Sequence, residues 1–170
     1  MSTPRLVLGI DPGLATLGYG LVTLTSDGPR YVDHGCVITR PPDALPERLR
    51  QLQEGLVSIC GRHSITDVAM ETLFFGRRLH VPGLGEARGV AVLTTTAGGA
   101  TFSEYSPAKV KQAVTGSGGA VKRQVQEMVR LILGLSVIPK PDDAVDALAI
   151  ALCHALQIDL QRLVAAEANA

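Results

Sequence analysis

The sequence predicts an α/β fold, a five-stranded mixed sheet flanked by helices. Apolar runs of strand length, such as 5–10 and 67–71, are separated by stretches in which apolar residues recur every three or four positions. Three strand-like segments open the chain with short links between them, and helices and strands alternate after that. The 170 residues, 46% of them apolar, suffice for one buried core, and no repeat or low-complexity linker divides them.

Arg5 to Ile10 is continuously apolar after the arginine and reads as a strand buried on both faces, ending at the turn signal Asp11-Pro12-Gly13. Tyr19 to Leu24 and Tyr31 to Thr39 are strands joined by the turn Ser26-Asp27-Gly28-Pro29, which suggests an antiparallel meander. Leu45, Leu49, Leu52, Leu56 and Ile59 form one helical stripe, with Asp43 as cap and Pro46 in the first turn. Asp67 to Glu71 is a short buried strand, 72–84 a loop, and Glu86 to Ala97 a helix of small residues. Thr101 to Tyr105 is the fifth strand, and Ser106-Pro107 caps and opens a helix through Val114. Gly116-Ser117-Gly118-Gly119 breaks it, Val121 to Leu133 is helical again, and a last helix runs from about Asp142, read as its cap, to Gln157. Residues 1–160 are expected to form a single domain, with 161–170 a frayed, alanine-rich tail.

Composition excludes several classes. No run of about 18 apolar residues marks a membrane span, and Met1 to Arg5 lacks the features of a signal peptide. Cys36, Cys60 and Cys153 are scattered and odd in number, as expected of reduced thiols in a cytoplasmic protein. Sixteen basic and sixteen acidic side chains cancel, but they are unevenly distributed. Between Glu104 and Arg130 five basic residues face two acidic ones, whereas Lys140 to Leu160 holds one basic and four acidic residues. A basic rim around an acidic pocket suits an enzyme that holds cations and receives a polyanion.

Four carboxylates occupy telling positions. Asp11 closes the first strand and Glu71 the fourth, and functional groups in open α/β sheets gather beyond the carboxyl ends of strands. If these strands are parallel neighbours, both acids enter one crevice. Asp143 and Asp146 share a face of the last helix, which is otherwise almost wholly apolar, and acids on a buried helix usually have a reason. Acids so gathered repel one another unless a cation neutralises them. An oxygen-only set without His or Cys favours Mg²⁺, with Mn²⁺ as substitute. Such sites typically hold two metals ~3.5–4 Å apart and run in-line phosphoryl displacement.

Five segments, in order, resemble the RuvC-type Holliday junction resolvases. They are Leu8-Gly-Ile-Asp-Pro-Gly-Leu-Ala-Thr-Leu-Gly-Tyr-Gly20, Ala69-Met-Glu-Thr-Leu-Phe-Phe75, Gly85-Glu-Ala-Arg-Gly-Val-Ala91, Tyr105-Ser-Pro-Ala-Lys-Val-Lys-Gln-Ala-Val114 and Asp143-Ala-Val-Asp-Ala-Leu-Ala-Ile-Ala151. The resemblance spans roughly Leu6 to His154. It implies a ribonuclease H-like fold and a homodimer on four-way junction DNA. Each subunit would nick one of two strands of like polarity with Mg²⁺, two ions per subunit, in recombination and repair alongside a branch-migration motor. By motif position Asp11, Glu71, Asp143 and Asp146 match the family's catalytic and metal-binding acids. Lys111 and Lys122 match its basic residues near the scissile strand, and Phe74 an aromatic that stacks on bases. Ala108 departs from the basic residue seen in relatives, and the neutral charge departs from a basic family, so weaker or more salt-sensitive DNA binding is expected.

The residues themselves offer two DNA-contact regions. Lys109, Lys111, Lys122 and Arg123 flank the glycine break, where backbone N–H groups and ammonium groups can meet phosphates. A solvated helix pair with a flexible turn is the plain alternative. Phe74-Phe75-Gly76-Arg77-Arg78 places aromatic rings beside Arg77 and Arg78, a combination suited to base stacking, with Phe75 expected to seat the loop. His34 and His63 are expected to be structural, His80 lies in the loop, and His154 has no evident partner. Leu84 to Thr96 can pack about a two-fold axis or simply cover the sheet. Two rival classes remain at this stage. Strand-Asp-Pro-Gly is also similar to the phosphate loop of actin-like and sugar-kinase ATPases, which need a longer chain, and a catalytically silent junction-binding protein would not need the four acids.

Overall fold

The computed structural model describes residues 4–72 and 82–168. In chain order the elements are β1 (Arg5–Asp11), β2 (Thr16–Thr25), β3 (Gly28–Ile38), α1 (Leu45–Arg62), β4 (Asp67–Glu71), α2 (Leu84–Thr96), β5 (Thr101–Tyr105), α3 (Pro107–Thr115), α4 (Lys122–Ile132) and α5 (Asp142–Ala168). The strands form one sheet in the order β3-β2-β1-β4-β5. β1, β2 and β3 pair antiparallel, the anticipated meander, while β4 joins β1 in parallel and β5 joins β4 in parallel. Parallel pairing requires the chain to cross back over the sheet, and the helices α1 and α2 supply those returns.

Side-chain alternation divides the core into two layers. Leu8, Ile10, Val68 and Met70 point to the face covered by α1 and α2, where Leu52, Leu56, Ile59, Ala87 and Ala91 meet them. Val7 and Ala69 point to the other face, where α3, α4 and α5 supply Val110, Val129, Leu148 and Leu152. Asp11, Asp67 and Glu71 are in phase with Val7 and Ala69, so they too point toward α5. α2 buries Ala87, Ala91 and Thr95 but leaves Leu93 76% exposed, so it covers the sheet and still presents an apolar outer side chain.

Helix α5 lies directly on the backbone of the central strands. Gly9 and Gly20 face each other across β1 and β2, and Asp11 is paired with Gly18. A Cβ at Gly20 would stand 2.7 Å from the Leu148 nitrogen, and one at Gly9 would overlap the Ala147 carbonyl. At Gly18 a Cβ would run into the Asp143 carbonyl. The glycines of the first motif therefore let the first turns of α5 settle against the strand that carries Asp11.

Three sequence expectations are corrected. Asp43 does not cap α1: Ala44 holds that position without a side-chain bond, and Asp43 accepts a hydrogen bond from Gln51 Nε2 at 2.6 Å. Asp142 lies inside the first turn of α5 rather than ahead of it. The last helix, expected to end at Gln157, continues through Ala168, because nothing after Pro141 breaks it and alanine has the highest helix propensity. Ser106 does cap α3, accepting from the Lys109 N–H at 3.2 Å. By length and composition α5 is apolar enough to cross a membrane even though charged residues interrupt its apolar run. Apart from the half-buried Asp146, its residues 144–155 are buried against the sheet and the neighbouring helices, as in the core helix of a globular fold.

Candidate active site

The parallel register of β1 and β4 decides where the first two acids go. Ile10 is paired with Met70, and the next residue on each strand is Asp11 and Glu71. Both leave the carboxyl end of the sheet on the α5 face. They line a crevice of about 350 Å³ together with Lys111 of α3, Lys122 of α4 and Asp146 of α5. Val110, Val125, Ala149 and Ile150 form its apolar walls. Asp143, one turn earlier on α5, faces an adjoining hollow beside Gly13 to Thr16, Arg48 and Pro82. Among the described residues no three of these side chains close on one point as a ready-made ion cage; Asp11, Glu71 and Asp146 reach the crevice from three different elements.

The electrostatics are those of crowded, poorly solvated negative charge. Burial pushes the Asp11 carboxyl up to about 7, and Asp146, Asp143 and Glu71 push in the same direction against an opposing pull from Lys122. Burial also raises Glu71, followed by repulsion from Asp146, while Lys111 acts the other way. Lys122 Nζ donates to Asp146 Oδ2 at 2.9 Å and stands 3.6 Å from Asp142 Oδ2. Its hydrogen bond with Asp146 raises the Lys122 ammonium, so that it stays charged. Lys111 is half-buried at the crevice wall.

The other basic candidates lie apart. Lys109 is half-buried on α3, where its carbonyl is 3.9 Å from Cys153 Sγ, and Arg123 is exposed on α4; neither lines the crevice. Phe74, Phe75, Arg77, Arg78 and His80 lie outside the described residues.

Two groups of partners carry no signal in the spacing of the sequence. Arg88 of α2 donates to the Glu71 carbonyl at 2.7 Å and forms an ion pair with Glu104. His154, which showed no partner in the sequence, bridges Tyr105 Oη at 2.6 Å and Asp67 Oδ1 at 3.2 Å. Asp67 is fully buried and also accepts from Arg5 Nε at 2.8 Å, Thr66 at 2.7 Å and Thr101 at 2.6 Å. Burial alone would raise this carboxyl, but the hydrogen bonds from Arg5, Thr101, Thr66 and His154 outweigh it and hold Asp67 well below the usual carboxylate range. For Arg5 and Asp67 one clue was available: a charge opens each of two neighbouring buried strands.

A sheet of this order, with acids at the ends of two adjacent parallel strands and on the helix crossing them, defines a nuclease of the ribonuclease H-like class. The family model described as crossover junction endodeoxyribonuclease RuvC matches residues 7–154. The chain belongs to that family. It is 52% identical over 149 residues to the crossover junction endodeoxyribonuclease RuvC of Chloroflexus aurantiacus, covering 87% of this chain and 91% of that one. The RuvC structure of Thermus thermophilus superposes with a TM-score of 0.85 at 35% identity, covering 92% and 97% of the two chains. A second Thermus thermophilus RuvC structure, in complex with Holliday junction substrate, gives 0.82 at 33% identity over 92% and 96%.

Proposed function

We propose that this chain resolves four-way DNA junctions, nicking two strands of like polarity symmetrically by phosphodiester hydrolysis in recombination and repair. The observation that carries this reading is the convergence of Asp11, Glu71 and Asp146 on one crevice that Lys111 and Lys122 also line, in a chain of the RuvC family.

The residues fit a hard divalent ion. The donors are carboxylate oxygens without His or Cys, and burial with mutual repulsion leaves negative charge that a cation would neutralise. Asp11, Glu71, Asp143 and Asp146 would hold Mg²⁺, or Mn²⁺ in its place, two ions per subunit. Bound there, the ions would supply charge neutralisation and ease the loss of a proton from the water that attacks phosphorus. Lys122 must exchange its bond to Asp146 for a backbone phosphate as DNA enters, and Lys111 meets the same strand from α3. Phe74, Arg77, Arg78, Lys109 and Arg123 would extend the contact along the junction arms.

The active species would be a homodimer, since two coordinated nicks need two sites. The exposed Leu93 on α2, beside a groove shared with Pro46 and Leu49 of α1, offers an apolar surface for the second copy. Residues 1–160 would serve as one nuclease domain, working in the cytoplasm with a branch-migration motor.

The test is incubation of the purified protein with a mobile four-way junction and a matched linear duplex, with and without Mg²⁺. Paired, symmetric nicks on the junction alone are expected. Cutting of the duplex at a similar rate, or cutting in chelator, defeats the reading.

A further inference from the structure

The helix carrying Asp143 and Asp146 meets strand backbone directly at three glycines. Gly9 faces Ala147 and Ala151 of α5, Gly18 faces Asp143 and Ala144, and Gly20 faces Leu148. Helices normally hold their register by fitting ridges into grooves. The apolar contacts of Leu148 and Leu152 with the sheet hold α5 down but are non-directional, yet the Asp146 carboxylate depends on both the height and the rotation of the helix.

Roughly two turns beyond Asp146, the buried His154 supplies directional bonds that the glycine surface lacks. Its Nε2 is 3.2 Å from Asp67 Oδ1 on β4, and its Nδ1 is 2.6 Å from Tyr105 Oη on β5. An ionised carboxylate only accepts, so the Nε2–H donates to Asp67; in the neutral ring Nδ1 then accepts from the Tyr105 hydroxyl. Burial raises the Tyr105 phenol, which keeps that donor in place. The other end of the link is Glu71 itself. Tyr105 is the register partner of Glu71, and its carbonyl accepts from the Thr72 N–H at 2.8 Å. Ser106, the cap of the helix bearing Lys111, follows directly.

We propose that Tyr105 and His154 are positioning residues: their hydrogen bond locks α5 in register against β4 and β5 and so sets the separation of Asp146 from Glu71. This proposal rests on the reading that those acids hold divalent ions. The hydrogen bonds of His154 go to Tyr105 and Asp67 and not to the ion-holding carboxylates, so losing the pair should weaken ion binding and slow cutting without removing a ligand or a DNA-binding group.

The experiment compares wild type with Tyr105→Phe, which deletes one hydroxyl, and with His154→Gln, which keeps a donor and an acceptor. Mn²⁺ binding is measured without DNA from the free-ion paramagnetic signal, junction affinity in Ca²⁺, cutting rate at saturating junction, and melting temperature. For Tyr105→Phe we expect Mn²⁺ affinity to fall about tenfold, the low end for outer-shell partners, with cutting slowed similarly and junction affinity unchanged. Partial recovery in His154→Gln relative to His154→Ala supports the link. Tyr105→Phe with wild-type Mn²⁺ affinity and rate overturns it, whatever its melting temperature. A wild type that neither binds Mn²⁺ nor cuts the junction overturns the ion-site reading, and the link with it.

Discussion

Asp67 and Glu71 stand at opposite ends of the same five-residue strand, on the same face, in opposite surroundings. At the lower end, four residues donate to Asp67 and hold its carboxyl below the usual range. At the upper end, burial and repulsion from Asp146 raise Glu71, and neighbouring Asp11 is pushed up to about 7. Both ends withdraw negative charge from water; at the lower end the donors outweigh the burial, and at the upper end Lys111 and Lys122 do not. Unsatisfied charge costs folding free energy and persists where a ligand completes it. On this comparison the lower end serves the fold and the upper end serves chemistry.

The largest effect that can break the comparison is on activity. Asp11→Asn, Glu71→Gln and Asp146→Asn should each cut metal-supported nicking by at least about 10²–10³-fold, with junction binding in Ca²⁺ retained. Substantial residual cutting by any one of them would remove that residue from the upper site.

Asp67→Asn should do the reverse. It leaves Arg5 without its carboxylate, and breaking a buried pair typically costs about 3–5 kcal/mol; with the Arg5 side chain 37% exposed, about 2–4 kcal/mol is expected in urea unfolding. Cutting per folded molecule should fall far less than in Asp146→Asn. An Asp67→Asn protein of normal stability would show that the lower network is not holding the fold.

The two ends should also respond to pH with opposite signs. Asp67 titrates lower in the folded protein than in the unfolded chain, so its contribution is present above about pH 4 and is lost as the pH falls through its folded value. Asp11 titrates higher when folded, so stability is full below about pH 4 and declines as the pH rises to about 7. In metal-free buffer at pH 8, Asp11→Asn should therefore be more stable than wild type, by about 2 kcal/mol, with little difference near pH 4. Added Mg²⁺ should narrow that gap by stabilising only the wild type. Equal stabilities at pH 8 would mean the Asp11 charge is not strained.

The smallest expected effects belong to the lysines. Lys111→Ala and Lys122→Ala should each slow cutting by about tenfold, and each phosphate left without its lysine should flatten the salt dependence by ~0.9 in log–log slope. An unchanged rate would return both to the solvated surface.

Much of this was legible beforehand because it is local. The apolar runs of β1 and β4, the three-and-four spacing of α1, the Ser106-Pro107 start of α3 and the glycine break before α4 all follow from periodicity and backbone chemistry within a few residues. The four acids stood out for the same reason, as charges at strand ends or inside an apolar helix. Phase alternation then put Asp11 and Glu71 on one face of their strands.

Tertiary structure decided what depends on residues far apart in the chain. That β1 and β4 are parallel neighbours, one step short of Asp11 and Glu71, is settled by which pairing buries both faces of the sheet. Asp143 turns toward a separate hollow because two aspartates three apart on a helix differ by about 60° in direction. The bonds from His154 to Tyr105 and Asp67, and from Arg88 to the Glu71 carbonyl, join elements with no local signal between them. Short-range pattern selects the elements and the groups they carry. Burial of the whole core selects their partners, and with them which carboxylates are paired and which are left free for chemistry.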